Sequence, residues 1–584
     1  MNGIFKHAVV VTWIVSTLIV ATPPALAANV IRTSRHTVVA FSSYLGGDGL
    51  DEVVGVGVDA SGCVYVVGQT ESLNFPTTSG AFQEQLNGVQ SDVFVSKFDP
   101  SGRQLIYSTY IGGSASEKAA GIVVDSVGNV TITGSTQSLD FPTSAGAFQV
   151  DPGGFVDGFV AMLNSTGTEL RYSTYVGGLG VDEALGIAAD ASGRVYVTGL
   201  AASGFPTTPN AFQMLGDGSD AFVLAIRDSG VVDYSTYVGG NGVDEGHAVA
   251  VDDSGQAFLT GQTTSDDLPT SPTAAQPATG GGIDCFVVGL SADGASLSYC
   301  SYLGGAMADV GRAVAVDSFG SVYLAGQAAA GFPTLVGAAQ SNAAGFLDAF
   351  VTKVDIATGR VTYSTYLGGS GDIEFGCPEF CVIEGALALV VDEEGNAYAA
   401  GQTVSKDFPT LNASGIQAKK PARGSSAGFV TKFGPAGSML RSAFIGGRAD
   451  ETARGLARDP AGNVYLVGYT TSTNFPVTPG SFQDTALAGA GFVAKLAAPL
   501  ITEADVKNRD VIVKGQYFDA GAVILLDGIQ QLTKTRESAT TPTLVGKRLA
   551  DMIPVGLTVA LRVRNSDGTL WGPRIKRKKL YAKG

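Results

Sequence analysis

The sequence predicts an all-β protein: a seven-bladed β-propeller of four-stranded blades, its ring closed by an N-terminal strand, followed by a small C-terminal β-sandwich. Three observations predict it. A phrase of the form Tyr-Ser-Thr-Tyr-Val-Gly-Gly returns seven times along the chain. Each return brackets four short β-type runs separated by turn residues, with no helical period. The last copy lacks its final strand, and a lone strand of that kind stands ahead of the first copy.

The composition agrees with this class. Charged residues are only 15% of the 584, while 79 glycines and 48 Phe or Tyr stand among β-branched residues. Such a mixture has ample apolar content for a core and reads as all-β rather than disordered. Residues 1–27 read as a signal peptide: Lys6, an apolar run over 8–21, and an A-x-A-like end at Ala25-Leu26-Ala27. The run is short for a bilayer span, which predicts cleavage after Ala27 and a protein that is secreted, periplasmic or at the cell surface. No later run predicts a transmembrane segment. A short N-terminal segment, 28–36, then leads into the propeller, 37–497.

The repeat is written most fully as Tyr172-Ser-Thr-Tyr-Val-Gly-Gly178, with copies at 107–113, 234–240, 299–305 and 363–369 and degraded copies at 41–47 and 441–447. The second Gly falls at 47, 113, 178, 240, 305, 369 and 447, and an insertion stretches the last interval. After each Gly-Gly comes an apolar first strand and a D-x-x-G turn, from Asp59-Ala-Ser-Gly62 to Asp459-Pro-Ala-Gly462. An Asp that bonds its own backbone and a Gly free to take positive φ make a tight hairpin. A second strand, a long loop carrying Phe-Pro-Thr or a variant, and a third strand follow; the Tyr-Ser-Thr-Tyr strand is the fourth. Residues 37–45 complete the last blade and remove the exposed edges of an open array. These phrases resemble the SBBP-type β-propeller repeat of bacterial exported proteins over about 38–497, and the resemblance implies fold far more than activity.

Residues 498–584 carry no propeller phrase. Val511-Ile-Val-Lys-Gly-Gln-Tyr-Phe518, Ala522-Val-Ile-Leu-Leu-Asp-Gly528 and the run 557–565 alternate apolar and polar residues. This region resembles an IPT/TIG-type immunoglobulin-like domain, which implies a spacer or interaction module. It is basic, with 15 Lys or Arg against 8 Asp or Glu, so the remainder of this −16 chain carries −23. An acidic propeller argues against nucleic acid as partner, because phosphate contacts need clustered cations. The basic run 574–579 reads as a solvated tail, with contact to an anionic surface as the other reading.

Five cysteines leave one over in a disulfide-permissive compartment. Cys377 and Cys381 share the insertion and could close a small loop. Cys285 and Cys300 fall on neighbouring strands and could form a cross-strand bridge. Cys63 stands alone.

Two patterns mark candidate sites. Four residues past the second Gly stand Asp51, Glu117, Asp182, Asp244, Asp309 and Glu451, with Glu384 found by counting back from Asp392. All seven are acidic, and they are expected to ring the mouth of the central channel. One reading is an electronegative ring that attracts cations such as calcium, which takes oxygen ligands. The other is that each carboxylate accepts local backbone N–H bonds and fixes the crossover between blades. Seven residues past the same Gly, where other copies carry Val, Ala or Leu, stand His247, Arg312 and Arg454. These either bind an anionic or sugar ligand or pair with the acidic ring beside them.

Signals for catalysis are thin. His36 and His247 are the histidines beyond the signal segment, so no His cluster can hold a metal, and no G-x-S-x-G, P-loop or H-E-x-x-H phrase occurs. A glycosidase needs only two carboxylates, yet nothing singles out a pair. The expectation is an exported, non-enzymatic binding or scaffold protein whose loop face engages an extracellular or envelope glycan, peptide or protein, with possible association to the cell surface. The alternative is an extracellular hydrolase or lyase at the propeller mouth.

Overall fold

The structure, a computed structural model, describes residues 39–497 except 89, 372–383, 414–415, 418, 421–425 and 487–488, together with strands between 500 and 575. The signal segment, His36, Cys377 and Cys381 lie outside the described residues. Seven four-stranded antiparallel sheets form the ring: blades 1 to 6 span 51–111, 117–176, 183–238, 244–303, 309–367 and 385–445. Blade 7 takes three strands from 451–496, and its outermost strand is Val39–Leu45, paired antiparallel to Ala490–Leu496. The two ends of the propeller chain thus close the ring within one sheet. The first strand of every blade packs on those of both neighbours, around a central axis.

Each turn forms as its residues dictate. Asp59 accepts N–H bonds from Ser61 and Cys63 while the Gly62 N–H donates to the Asp59 carbonyl, with Gly62 at φ +83°. The Phe-Pro-Thr loops are pinned from below. Tyr175 Oη donates to the Ser138 carbonyl at 2.8 Å and accepts from the Phe141 N–H at 2.9 Å, and Tyr237 and Tyr366 repeat the clasp. Phe141 itself is buried against Phe159, ring centroids 4.6 Å apart. Truncating such a ring typically costs about 3–5 kcal/mol. These loops are therefore rigid where they leave the blade. The Gly-Gly loops bond to them on the same face, as Asp48 N–H does to Asn74 Oδ1 at 2.9 Å and Ser114 N–H to Asp140 Oδ1 at 2.8 Å.

One expectation is corrected. Cys285 and Cys300 lie on adjacent strands, but the register pairs Cys285 with Leu303 and Cys300 with Val288. Side chains alternate faces along a strand, so three residues of offset send the two thiols to opposite sides of the blade. Both are free and buried, as is Cys63.

Between 500 and 575 the strands pair into two small antiparallel sheets. One joins Leu500–Lys507, Asp510–Gln516, Thr543–Gly546 and Thr533–Arg536; the other is built on Val523–Leu526 and Val559–Arg564.

Candidate functional site

The first strand of every blade carries a β-bulge, and outside blade 6, where the insertion intervenes, the bulged residue is the seventh past the second Gly. Pairing to the second strand skips Val54, Ala120, Leu185, His247, Arg312, Leu387 and Arg454 in blades 1 to 7. The bulge needs a partner without a side chain. A Cβ on Gly261 would collide with the carbonyl of Glu245, and Gly68, Gly134, Gly199, Gly326, Gly401 and Gly468 repeat the arrangement. A bulge re-aims the side chain it carries. Here it turns one side chain per blade toward its neighbours on the innermost strands.

Four of those seven side chains are apolar, and three are basic. His247 is largely buried; its Nδ1 lies 2.8 Å from the Gly311 carbonyl of the next blade and its Nε2 3.1 Å from Glu245 Oε2. Arg312 Nη1 reaches His247 Nε2 at 3.5 Å. Arg454 Nε pairs with Glu52 Oε1 across the blade 7–blade 1 junction at 2.7 Å, and Gln69 holds the other Glu52 oxygen. Burial pulls the Arg312 pKa down, Glu245 raises it, and the Arg454 guanidinium lowers it again, so the two cations feel each other across blade 6, whose bulge carries the uncharged Leu387. The His247 hydrogen bond holds the Glu245 carboxyl below the usual range against its burial. Local pairing therefore accounts for His247 and Arg454. Arg312 has no carboxylate within ion-pair distance among the described residues.

The acidic ring lies elsewhere than expected. Asp51, Glu117, Asp182, Asp244, Asp309, Glu384 and Glu451 are buried rather than facing the channel mouth, which corrects the electronegative ring. Each closes its own Gly-Gly turn. The second-Gly N–H donates to Asp51 at 2.7 Å, Glu117 at 3.1 Å, Asp182 at 2.8 Å, Asp244 at 2.8 Å, Asp309 at 2.6 Å and Glu384 at 3.1 Å. Hydroxyls add to this: Thr70 and Ser72 bond Asp51, and Thr470 and Ser472 bond Glu451. No group of three or more potential metal ligands occurs among the described residues.

Sequence reasoning passed over a second acidic set. The third strand opens with Asp92, Asp157, Asp220, Asp284 and Asp348 in blades 1 to 5, all buried, with alanine at that place in blades 6 and 7. Aligning copies on the third strand instead of on Gly-Gly is the signal that finds them. The glutamine that closes the Phe-Pro-Thr loop, Gln83 in Ala81-Phe82-Gln83, also has a role: its Oε1 accepts the Gly112 N–H at 3.1 Å and its Nε2 donates to Asp92 at 2.8 Å.

The loop face around the channel displays apolar side chains. Leu73, Leu139, Phe155, Leu179, Leu215 and Val336 are each at least 77% exposed. Their connections run from second to third strand or follow a Gly-Gly.

With that geometry in place, the comparisons are direct. A family model described as SBBP, beta-propeller repeat, matches residues 106–142, 171–206, 233–269 and 442–476. These segments are similar to SBBP β-propeller repeats. Each SBBP match runs from the fourth strand of one blade through the second strand of the next, so the sequence repeat straddles the structural one. No curated protein matches the chain. Among solved structures, a fungal alcohol oxidase of the AA5 family in complex with copper is 11% identical over 94% of this chain and 98% of its own, TM-score 0.36. A quinohemoprotein alcohol dehydrogenase from Comamonas testosteroni is 11% identical over 80% and 78%, TM-score 0.35. An ulvan lyase of family PL25 is 10% identical over 83% and 94%, TM-score 0.33. Likeness at that level says nothing of what this chain does.

Proposed function

We propose that this chain is an exported, non-enzymatic binding protein whose propeller engages an anionic group of an extracellular glycan, peptide or protein at Arg312, with His247 and Arg454, held by their own carboxylates, completing the set of basic bulge residues. One observation carries the reading. A position that the bulge presents identically in seven blades is basic in three, and in one of them the cation is desolvated with no carboxylate at ion-pair distance among the described residues. A guanidinium without an ion-pair partner in a partly closed site favours a carboxylate, sulfate or phosphate, which it can grip with two parallel N–H bonds. Exposed leucines and a phenylalanine elsewhere on the loop face offer apolar contact to an extended ligand. Residues 498–584 would then serve as an IPT/TIG-type spacer or docking module, and the protein would work outside the cytoplasm, free or at the cell surface.

Calorimetric titration with oligogalacturonate and with its neutral methyl ester tests this. Binding of the acid form, its loss in Arg312→Leu, and no binding of the ester are expected. Equal affinity of the wild type and Arg312→Leu for the acid form would overturn it. A second reading, a hydrolase or lyase at the same mouth, draws on the Glu245–His247 pair beside Arg312. Both His247 nitrogens already face chain partners, which favours binding over proton transfer. Release of shortened or unsaturated oligomers would decide for the enzyme.

A further inference from the structure

The two acidic sets meet at the blade junctions. Between the third strand of one blade and the first strand of the next lies the first Gly of each Gly-Gly. A Cβ on Gly112 would collide with both Asp92 Oδ1 and Glu117 Oε2; one on Gly239 would meet both Asp220 Oδ1 and Asp244 Oδ2. On Gly304 it would meet Asp284 and Asp309 together. The two carboxyl groups at these three junctions thus converge on one small space that no side chain fills.

Their hydrogen bonds leave that space short of protons. The outer oxygen of each third-strand Asp is held by the preceding loop: Asn87 N–H to Asp92 at 2.8 Å, Asp217 N–H to Asp220 at 2.9 Å, Gly280 N–H to Asp284 at 2.7 Å. The inner oxygen, Oδ1 of Asp92, Asp157, Asp220 and Asp284, is buried with no hydrogen-bond partner. A buried acceptor without a donor is costly, and two ionised carboxylates in contact cost more.

We propose that the Asp92–Glu117, Asp220–Asp244 and Asp284–Asp309 pairs each hold one shared proton in weak acid. An O–H of one carboxyl donates to the carboxylate of the other and clasps blade to blade. The proton comes from solvent and returns to it when the pair ionises fully. Burial, and then the facing carboxylate, push Asp92 up to about 7; burial first does the same to Asp220 and Asp309, to about 6. Tyr110 and Tyr175 face the first pair; Asp217, Tyr237, Tyr302 and Cys300 face the second. All are acids or neutral hydroxyls and thiols, so no cation among them can stand in for the proton.

The sign follows from linkage. A carboxyl whose folded pKa lies above the unfolded value of about 3.9 stabilises fully below that value, and the contribution is lost as pH rises through the folded pKa. The clasp therefore weakens between about pH 4 and pH 7 and is gone above pH 8. The device is acid-strengthened and alkali-released.

The test uses the full chain and the double variant Asp92→Asn, Asp220→Asn, in which each amide donates permanently where the proton stood. Wild-type Tm is expected to fall by several degrees from pH 5 to pH 8, and the variant's fall to be visibly smaller. Infrared spectra of the wild type at pH 5 should show a protonated-carboxyl C=O band that fades by pH 8 and that the variant loses in part. An unchanged pH slope, or no such band, overturns the proposal. So does restoration of the pH 8 Tm by calcium chloride alone, which would put a cation where the proton is placed. Should the double variant not fold, the infrared titration of the wild type decides.

Discussion

Gly261 has no side chain because the Glu245 carbonyl occupies the space a Cβ would take. That contact holds the bulge, and the bulge aims His247. Gly261→Ala is expected to destabilise by about 1–3 kcal/mol, the usual range for overpacking, and to weaken anion binding with it. A denaturant melt and the oligogalacturonate titration check both. Arg312→Leu is expected to separate the two effects, abolishing binding while stability holds or rises, since an apolar residue replaces a desolvated cation. Tyr175→Phe removes the hydroxyl that both donates to Ser138 and accepts from Phe141. A loss of about 1–3 kcal/mol and faster proteolytic cleavage near Phe141 are expected. At this scale the sequence was legible for identity and illegible for environment. His247, Arg312 and Arg454 stood out as departures from a repeat, but nothing in their spacing told which of them a carboxylate would neutralise.

At the scale of the element, the alternation of a strand decides what a cysteine can do. Cys285 and Cys300 share a hairpin, yet an odd register offset parts them, and burial pushes both thiols up to about 12. Thiolate, not thiol, reacts. A thiol reagent at pH 8 is expected to leave Cys63, Cys285 and Cys300 untouched in the native protein and to modify all three in denaturant. Reaction of Cys285 or Cys300 before unfolding would show that the hairpin opens. The D-x-x-G turns behave in the opposite sense to the junction pairs. Burial raises Asp59 and Asp190, but the hydroxyl and backbone N–H bonds around them outweigh it and lower both. Their contribution is present above the unfolded pKa and is lost as pH falls through the lower folded one.

For the whole molecule these two families of carboxyls set a window. Junction pairs lose strength as pH rises from about 4 to about 7 and turn aspartates lose theirs in strong acid, so greatest stability is expected between about pH 4 and pH 5. A Tm profile from pH 3 to pH 9 checks it. Closure gives a second expectation. Without Val39–Leu45 the third strand of blade 7 becomes an open edge, so a chain starting at residue 47 is expected to melt lower and to self-associate. Analytical ultracentrifugation against the full chain reads the association, and a thermal melt reads the stability.

By itself the sequence determined the number of blades, the four strands in each, the turn chemistry and the closure of the ring, because these follow from local periodicity and from residues repeated in seven copies. It also singled out the three basic departures. Only the tertiary structure decided where the repeated acids point. Asp51 and its six counterparts looked like a ring at a channel mouth, and the fold buries them under their own Gly-Gly turns. It also brought Asp92 to Glu117, which no spacing announces, because the pair is made between one blade's third strand and the next blade's first. Periodicity is a property of the chain, but contact between separate strands is made by packing, and the protonation of buried groups depends on that packing.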